Sequence, residues 1–171
     1  FPTREPMLAE GNVAAITGFS FSSYLNLVRL GVDEADISTL LMADYGLELY
    51  GNAIIVNTEF AENNKEIVKG FLAAVAAGWK DAIADPGKAI ESLMKRNPAA
   101  DSALEERRLQ LAIDANVVTD YTLANGMGHI SEGRMARALD QMATTYEFSS
   151  PPDSSLYFDN TFLPANGFNL N

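Results

Sequence analysis

Short, mostly apolar runs bounded by turn residues characterise the first third of the chain. They lie at Val13–Thr17, Ile37–Ala43 and Gly51–Asn57. Runs of this length between turn signals are typical of strands that are buried on both faces in an α/β sheet. The pattern therefore predicts about three strands before residue 60.

Helical spacing dominates the rest of the chain. After Phe60, apolar residues recur every three or four positions and predict one long helix with a broad apolar stripe, formed by Ile67, Val68, Phe71, Leu72, Val75, Trp79 and Ile83. Further helix starts are predicted at Asp85-Pro86, at Ser102 with Glu105 as a capping box, and at Ser131. With a short helix before Gly11 and another from about Ser23, which Gly31 ends, we expect five or six helices.

The predicted strands and helices are unbalanced. Three strands make a poor sheet for five or six helices, and strands buried on both faces need neighbours at both edges. The fold class predicted is therefore α/β and helix-rich, with this chain as part of a larger α/β unit. The chain begins with Phe1 rather than Met, so we expect a processed protein or a piece of one.

Charge and composition exclude several classes of function. Lys and Arg total 12 against 23 Asp and Glu, for a formal net charge of -11. Such an acidic surface repels phosphate backbones and anionic lipid, so no nucleic-acid partner is expected. The chain has no cysteine, which excludes thiolate nucleophiles and Cys-ligated metals. His129 is the only histidine and has no nucleophile or metal-ligand signature around it, so no metal site and no catalytic residue is predicted.

Two groups of residues have the composition of a ligand site. The first is "GFSFSSY", with Phe19, Ser20, Phe21, Ser22, Ser23 and Tyr24 placed after a predicted strand, where ligands bind in open α/β sheets. The second is Asp44, Tyr45 and Tyr50 in "DYGLELYGN". Aromatic side chains offer a flat apolar face, and hydroxyls offer hydrogen bonds. Each group also has a structural interpretation: a hydroxyl-capped helix with two core phenylalanines, and tyrosines that merely cover a strand end.

The order of these segments resembles a known family. "REPMLAEGNVAAITGFSFSSYLNLVRLGV", the segment from "DYGLELYGNAIIVNTEF" to "IADPGKAIESL", and "FDNTFLP" are together similar to the C-terminal half of an ABC-transporter solute-binding protein. The branch is the one for nitrate, taurine, alkanesulfonates and thiamine-pyrimidine precursors. The resemblance covers nearly the whole chain.

The resemblance implies a type II periplasmic-binding-protein fold, in which two α/β lobes clamp a small organic molecule. Residues 1–18 would then end the second lobe and form a hinge, and residues 19–171 would form the cleft segment and complete the first lobe. The implied partners are the ligand, an ABC permease, and either the N-terminal half of the protein or a swapped second copy. The implied location is periplasmic, without cofactor or enzymatic activity, and affinity in this half alone should be poor.

An enzymatic alternative belongs to the same fold. The branch shares its domain with pyrimidine synthases of thiamine biosynthesis, which consume pyridoxal phosphate. Those relatives carry a cysteine-rich motif, and this chain has no cysteine. A binding protein is therefore the first interpretation and a synthase the alternative.

Overall fold

The computed structural model describes residues 3–47, 49–150 and 152–170. The chain divides into two compact units. The first unit contains Phe1–Leu41 and Asp81–Thr119, and the second contains Met42–Lys80 and Asp120–Asn171.

Helices are the main regular elements of the described residues. The α-helices are α1 (Arg4–Ala9), α2 (Leu25–Arg29), α3 (Thr58–Asn63), α4 (Lys65–Ala84), α5 (Pro86–Arg96), α6 (Ser102–Ala112), α7 (Asp120–Asn125) and α8 (Glu132–Tyr146). Two π-helical turns cover Ser20–Tyr24 and Ile113–Val117. Short 3₁₀ turns cover Glu34–Asp36, Met42–Tyr45, Ser154–Leu156 and Asn160–Phe162. The described residues thus hold eight α-helices rather than five or six. One reason is that the helical region predicted after Phe60 starts earlier, at Thr58, and consists of two helices, α3 and α4, separated at Asn64.

Several helix boundaries follow the predicted capping chemistry. The Asp85 carboxylate accepts a hydrogen bond from the Lys88 amide at 3.0 Å, with Pro86 as the first helical residue. The Ser131 hydroxyl accepts one from the Arg134 amide at 3.1 Å. These two predictions are confirmed. The third was wrong by one residue, because Asp101 rather than Ser102 caps α6 and accepts from the Leu104 amide.

The predicted stop at Gly31 is also confirmed. Gly31 has a φ of 88° and follows Leu30, the C-cap of α2. Its amide donates to the Val28 carbonyl, and the next amide, that of Val32, donates back to the Leu27 carbonyl. This pair of bonds closes the helix end in the Schellman arrangement, which needs a left-handed residue and therefore favours glycine.

Each unit has its own small core. In the first unit the buried apolar side chains are Leu25, Leu27, Ile90 and Ile113. In the second unit they are Ala61, Val68, Ala76 and Ala138, which are mostly alanines. Because an alanine buries little apolar surface, the second unit gains less hydrophobic stabilisation from its buried residues than the first.

The prediction of an α/β fold is wrong for this structure. Residues 3–47, 49–150 and 152–170 contain no β-strand; an isolated antiparallel bridge joins Met127 to Phe168. The three predicted strands, Val13–Thr17, Ile37–Ala43 and Gly51–Asn57, are irregular apart from the 3₁₀ turn that begins at Met42.

The reason is that none of these segments finds a neighbour to pair with. Residues 13–16, 38–41 and 51–56 make no hydrogen bond within the described part of the chain. Their apolar side chains are not buried either, since Leu40 is 73% exposed and Ile55 92% exposed. A strand is defined by its ladder, so an apolar run without a partner remains irregular however strong its strand propensity is.

Membrane-spanning character is not found either. Across the residues that the structure describes, no helix combines the length and the apolar character that crossing a bilayer requires.

Candidate functional site

The first candidate group forms a single compact turn, which we call the aromatic turn (Phe19–Tyr24). Phe19 is extended, with ψ of 136°, and residues 20–24 then wind into a π-helical turn. The amides of Ser22 and Ser23 both donate to the Phe19 carbonyl, at 3.0 and 2.8 Å. These bonds fold the segment back on Phe19 before α2 begins at Leu25.

Two aromatic rings of this turn are stacked. The rings of Phe19 and Phe21 have centroids 5.2 Å apart and planes inclined by 15°. Phe19 is 50% exposed and Phe21 is half-buried. One side of the pair therefore offers a flat apolar surface that a planar molecule can stack on. The structural interpretation of two core phenylalanines does not hold for Phe19.

The polar side chains of the turn fall into two classes. Ser23 is buried and its hydroxyl donates to the buried Glu5 carboxylate at 2.7 Å, while the Tyr24 hydroxyl donates to Glu34. The hydroxyls of Ser20 and Ser22 are half-buried and form no hydrogen bond with any described residue. Ser23 and Tyr24 are thus engaged in the fold, whereas Ser20 and Ser22 keep hydroxyls that could bind a ligand.

These hydrogen bonds move the pKa values of the groups involved. The Ser23 hydroxyl lowers the pKa of the Glu5 carboxyl below its usual range, so Glu5 is ionised at neutral pH. The hydrogen bond between Tyr24 and Glu34 raises the pKa of the Tyr24 hydroxyl and lowers that of the Glu34 carboxyl. The turn is therefore bordered by two ionised carboxylates, in keeping with the acidic composition.

Arg107 and Arg108 of α6 also contact the turn and its neighbours. Arg108 donates to the Phe21 carbonyl at 2.8 Å and to Glu105 at 3.1 Å, and Arg107 donates to Glu34 at 2.9 Å. The pairing of Glu105 with Arg108 follows from their i,i+3 spacing on one helix. No sequence signal marks the contact with Phe21, because the two residues lie 87 positions apart.

The second candidate group lies in the second unit. Asp44 and Tyr45 belong to the 3₁₀ turn Met42–Tyr45, which Gly46 ends with a φ of 87°. Tyr45 is 74% exposed, so its ring is accessible. Asp44 is exposed as well.

Tyr50 contacts the start of α8. Its hydroxyl accepts a hydrogen bond from the Ser131 amide at 3.1 Å, at the start of α8. The guanidinium of Arg134 lies 4.2 Å from the centroid of its ring, which is cation–π geometry. Arg134 also donates to the Leu49 carbonyl at 3.2 Å. The hydroxyl of Tyr50 and one face of its ring therefore already have partners, which leaves less of this side chain available to a ligand.

The nine predicted residues are thus distributed over both units. Phe19–Tyr24 belong to the first unit, and Asp44, Tyr45 and Tyr50 belong to the second. Within the described residues there is no group of three or more His, Asp or Glu placed to hold a metal ion. His129 is half-buried in the turn before α8.

A match to a family model shows which protein family the chain belongs to. A family model described as NMT1/THI5 like matches residues 3–89, about half of the chain. The chain belongs to the NMT1/THI5-like family. The matched region contains all nine predicted site residues, and it confirms the resemblance inferred from the sequence.

A curated relative extends the match over almost the entire chain. The riboflavin-binding protein RibY of Chloroflexus aurantiacus is 25% identical over 169 residues, which cover 97% of this chain and 47% of the relative. The chain therefore spans about half the length of this relative. The comparison with solved structures gave no match. Both matches support a solute-binding role in general terms.

Proposed function

We propose that this protein binds a small, planar organic molecule through the aromatic turn, as a solute-binding protein rather than as an enzyme. The stacked rings of Phe19 and Phe21, 5.2 Å apart with Phe19 half-exposed, carry this proposal. An exposed aromatic pair is costly to leave in water and well suited to stack on a ligand ring. The hydroxyls of Ser20 and Ser22, which form no hydrogen bond with any described residue, lie in the same turn and can bind polar groups of the ligand.

Riboflavin is the ligand that we propose first. The relative RibY is named as a riboflavin-binding protein, and riboflavin combines a flat ring system with a chain of hydroxyls. The aromatic turn offers matching chemistry, namely a ring face and two serine hydroxyls. Sulfonates and pyrimidine precursors, which the sequence resemblance also includes, have a smaller ring or none and would use less of the Phe19 face.

A further segment is proposed to complete the protein. RibY is about twice as long as this chain, and the apolar residues of two unpaired segments, among them Leu40 and Ile55, are exposed. We propose that this further segment or a swapped second copy covers these exposed apolar residues, because their burial would remove apolar surface from water. Delivery of the ligand to an ABC permease, at an extracytoplasmic location, follows from the same family relationship and is part of the proposal.

The test is a titration of the 171-residue chain with riboflavin, followed by flavin fluorescence and by native mass spectrometry. We expect saturable quenching with one riboflavin per chain, and affinity in the micromolar range or weaker, since part of the proposed partner surface is absent. The mass spectrum reports in the same sample whether the chain is single or associated. Quenching that stays linear in riboflavin concentration, with no bound flavin in the mass spectrum, would exclude riboflavin as the ligand.

Phe19→Ala tests the role of the aromatic turn in that binding. Removing a stacked ring costs about 1–2 kcal/mol, which corresponds to roughly 5- to 30-fold in the dissociation constant. Phe71→Ala is the matched control, because Phe71 is 57% exposed on α4 and belongs to no predicted site. Equal affinity of the Phe19→Ala variant and the control would place the ligand elsewhere, and Tyr45→Ala would then test the second group.

A further inference from the structure

Arg108 joins the aromatic turn to a longer helix. Its Nη1 donates to the Phe21 carbonyl at 2.8 Å, and its Nε donates to the Glu105 carboxylate at 3.1 Å. Both side chains of this ion pair are largely shielded, with 25% of Arg108 and 24% of Glu105 exposed. Glu105 lies one turn earlier on α6 and fixes the direction of the guanidinium. The Arg108 guanidinium is thus oriented by Glu105 of its own helix and binds the backbone of the aromatic turn at Phe21.

Side-chain hydrogen bonds of Ser23, Tyr24 and Arg108 tie this turn to the rest of the first unit. The turn is a single π-helical turn of five residues, and π-helical turns are rare and short. Phe21 contributes both a ring of the stacked pair and the carbonyl that Arg108 contacts. A shift of this carbonyl therefore moves the Phe21 ring relative to Phe19.

Only arginine suits this position fully. The guanidinium is a planar group with donors on several nitrogens in a fixed arrangement, so it can serve a carboxylate and a carbonyl at the same time. A lysine carries a single nitrogen at the end of a flexible chain and would hold one of the two acceptors less rigidly.

A neighbouring arginine offers a natural comparison. Arg107 lies next to Arg108 on α6 and pairs with Glu34 at 2.9 Å, which in turn accepts from the Tyr24 hydroxyl. The side chains of this pair are 47% and 49% exposed, so water and salt weaken their interaction. Arg107 carries the same charge on the same helix without contacting the Phe21 backbone.

We propose that Arg108 is a positioning residue of the ligand site: it contacts no ligand, but its bond to the Phe21 carbonyl sets the geometry of the Phe19–Phe21 ring pair. This inference rests on the proposed function for its ligand, riboflavin, and on the geometry of the turn for its mechanism. The two parts can be measured separately.

The first measurement needs no ligand. Hydrogen exchange is followed at the Ser22 and Ser23 amides in the wild-type chain and in Arg108→Gln, Arg108→Lys and Arg107→Gln. Loss of the hydrogen bond from Arg108 to the Phe21 carbonyl should accelerate exchange about tenfold in Arg108→Gln. This change corresponds to about 1.4 kcal/mol in the free energy of opening. We expect an intermediate acceleration in Arg108→Lys and less than twofold in Arg107→Gln. Unchanged exchange in both Arg108 variants would overturn the inference. If Arg108→Gln fails to fold, unchanged exchange in Arg108→Lys overturns it on its own.

The second measurement uses riboflavin. Arg108→Gln should weaken riboflavin binding about tenfold, and at saturation the visible absorption band of the bound flavin should differ from that of the wild type, because the ring pair is displaced. A variant that was merely less stable would show the wild-type band once saturated, and that result would contradict a positioning role. So would wild-type affinity in Arg108→Gln. Failure of the wild-type chain to bind riboflavin overturns the proposed function instead, and the exchange rates then decide whether Arg108 holds the turn.

Discussion

Replacing Ser23 by alanine removes the hydroxyl that pairs with the buried carboxylate of Glu5. Both residues are 7% exposed, and the two oxygens are 2.7 Å apart. The bond joins α1 to the aromatic turn across 18 positions of sequence. Because Ser23 is buried against Glu5, we expect its substitution to change stability.

The magnitude follows from the charge of Glu5. A hydrogen bond to a charged group contributes about 1.5–3 kcal/mol net, compared with about 0.5–1.5 kcal/mol for a neutral pair. Ser23→Ala should therefore lower the free energy of unfolding by about 1.5–3 kcal/mol at pH 7. For a chain of this size that corresponds to a melting temperature lower by about 3–12 °C.

The effect should depend on pH in one direction. The Ser23 hydroxyl lowers the pKa of Glu5 in the folded protein, whereas an unfolded glutamate has a pKa of roughly 4.3. The stabilisation is therefore complete above that unfolded pKa and is lost as the pH falls through the lower pKa of the folded state. The difference between the wild type and Ser23→Ala should shrink by about 1 kcal/mol or more towards low pH, where the pair becomes neutral.

Urea unfolding at a series of pH values from 7 to 3 measures this difference. Ser22→Ala is the matched control, since the neighbouring hydroxyl forms no hydrogen bond with any described residue, and it should change stability by no more than about 0.5 kcal/mol. A loss in Ser23→Ala that equals the control, or one that stays constant between pH 7 and pH 3, would refute the assignment of an ionised Glu5 bonded to Ser23.

Two further substitutions test helix ends. Glu147 ends α8 in a left-handed conformation with φ of 48°. Both Glu147→Gly and Glu147→Ala remove the charge, but alanine keeps the backbone strain, so the glycine variant should be more stable by about 0.5–1 kcal/mol. A glycine variant that is less stable than the alanine variant in urea unfolding would contradict this. Asp85→Ala should cost about 1 kcal/mol, because Asp85 caps α5 through the Lys88 amide at 3.0 Å, while Asp85→Asn keeps the acceptor and should remain near the wild type; equal losses in both variants would argue against capping as the cause.

Local chemistry made the helix ends predictable from the sequence. Asp85 before Pro86, Ser131 before Glu132 and Gly31 after α2 each act within a few residues, so their roles can be read from neighbouring letters. The shift from Ser102 to Asp101 shows the limit, because two adjacent residues both had a suitable side chain and only the backbone geometry decides between them.

The strands failed for a physical reason. Residues 51–56 have the composition of a buried strand, yet Ile54 and Ile55 are exposed and the segment has no ladder. Composition reports the preference of a segment for burial and pairing, but the partner must exist for the strand to form. The prediction expected further strand neighbours outside this chain, but the three segments do not pair even with one another among the described residues.

Long-range contacts limited how much of the candidate site could be predicted from the sequence. The composition of "GFSFSSY" was sufficient to indicate aromatic and hydroxyl groups in one turn. The partners of Ser23 and Phe21 come from Glu5 and Arg108, which lie 18 and 87 positions away, and a single sequence carries no signal for such pairs. For the same reason the sequence carries no signal for the contact between the Tyr50 hydroxyl and the start of α8.

The most direct measurement of ligand binding at the aromatic turn is an NMR titration of the chain, labelled on its nine phenylalanines, with riboflavin. Phe19→Leu and Phe21→Leu identify the two ring signals of the stacked pair. We predict that these two signals shift saturably as riboflavin is added, with the same midpoint as the fluorescence titration, while the signal of Phe71 does not move. Saturable shifts of other phenylalanine rings, with Phe19 and Phe21 unchanged, would contradict the aromatic turn as the binding site.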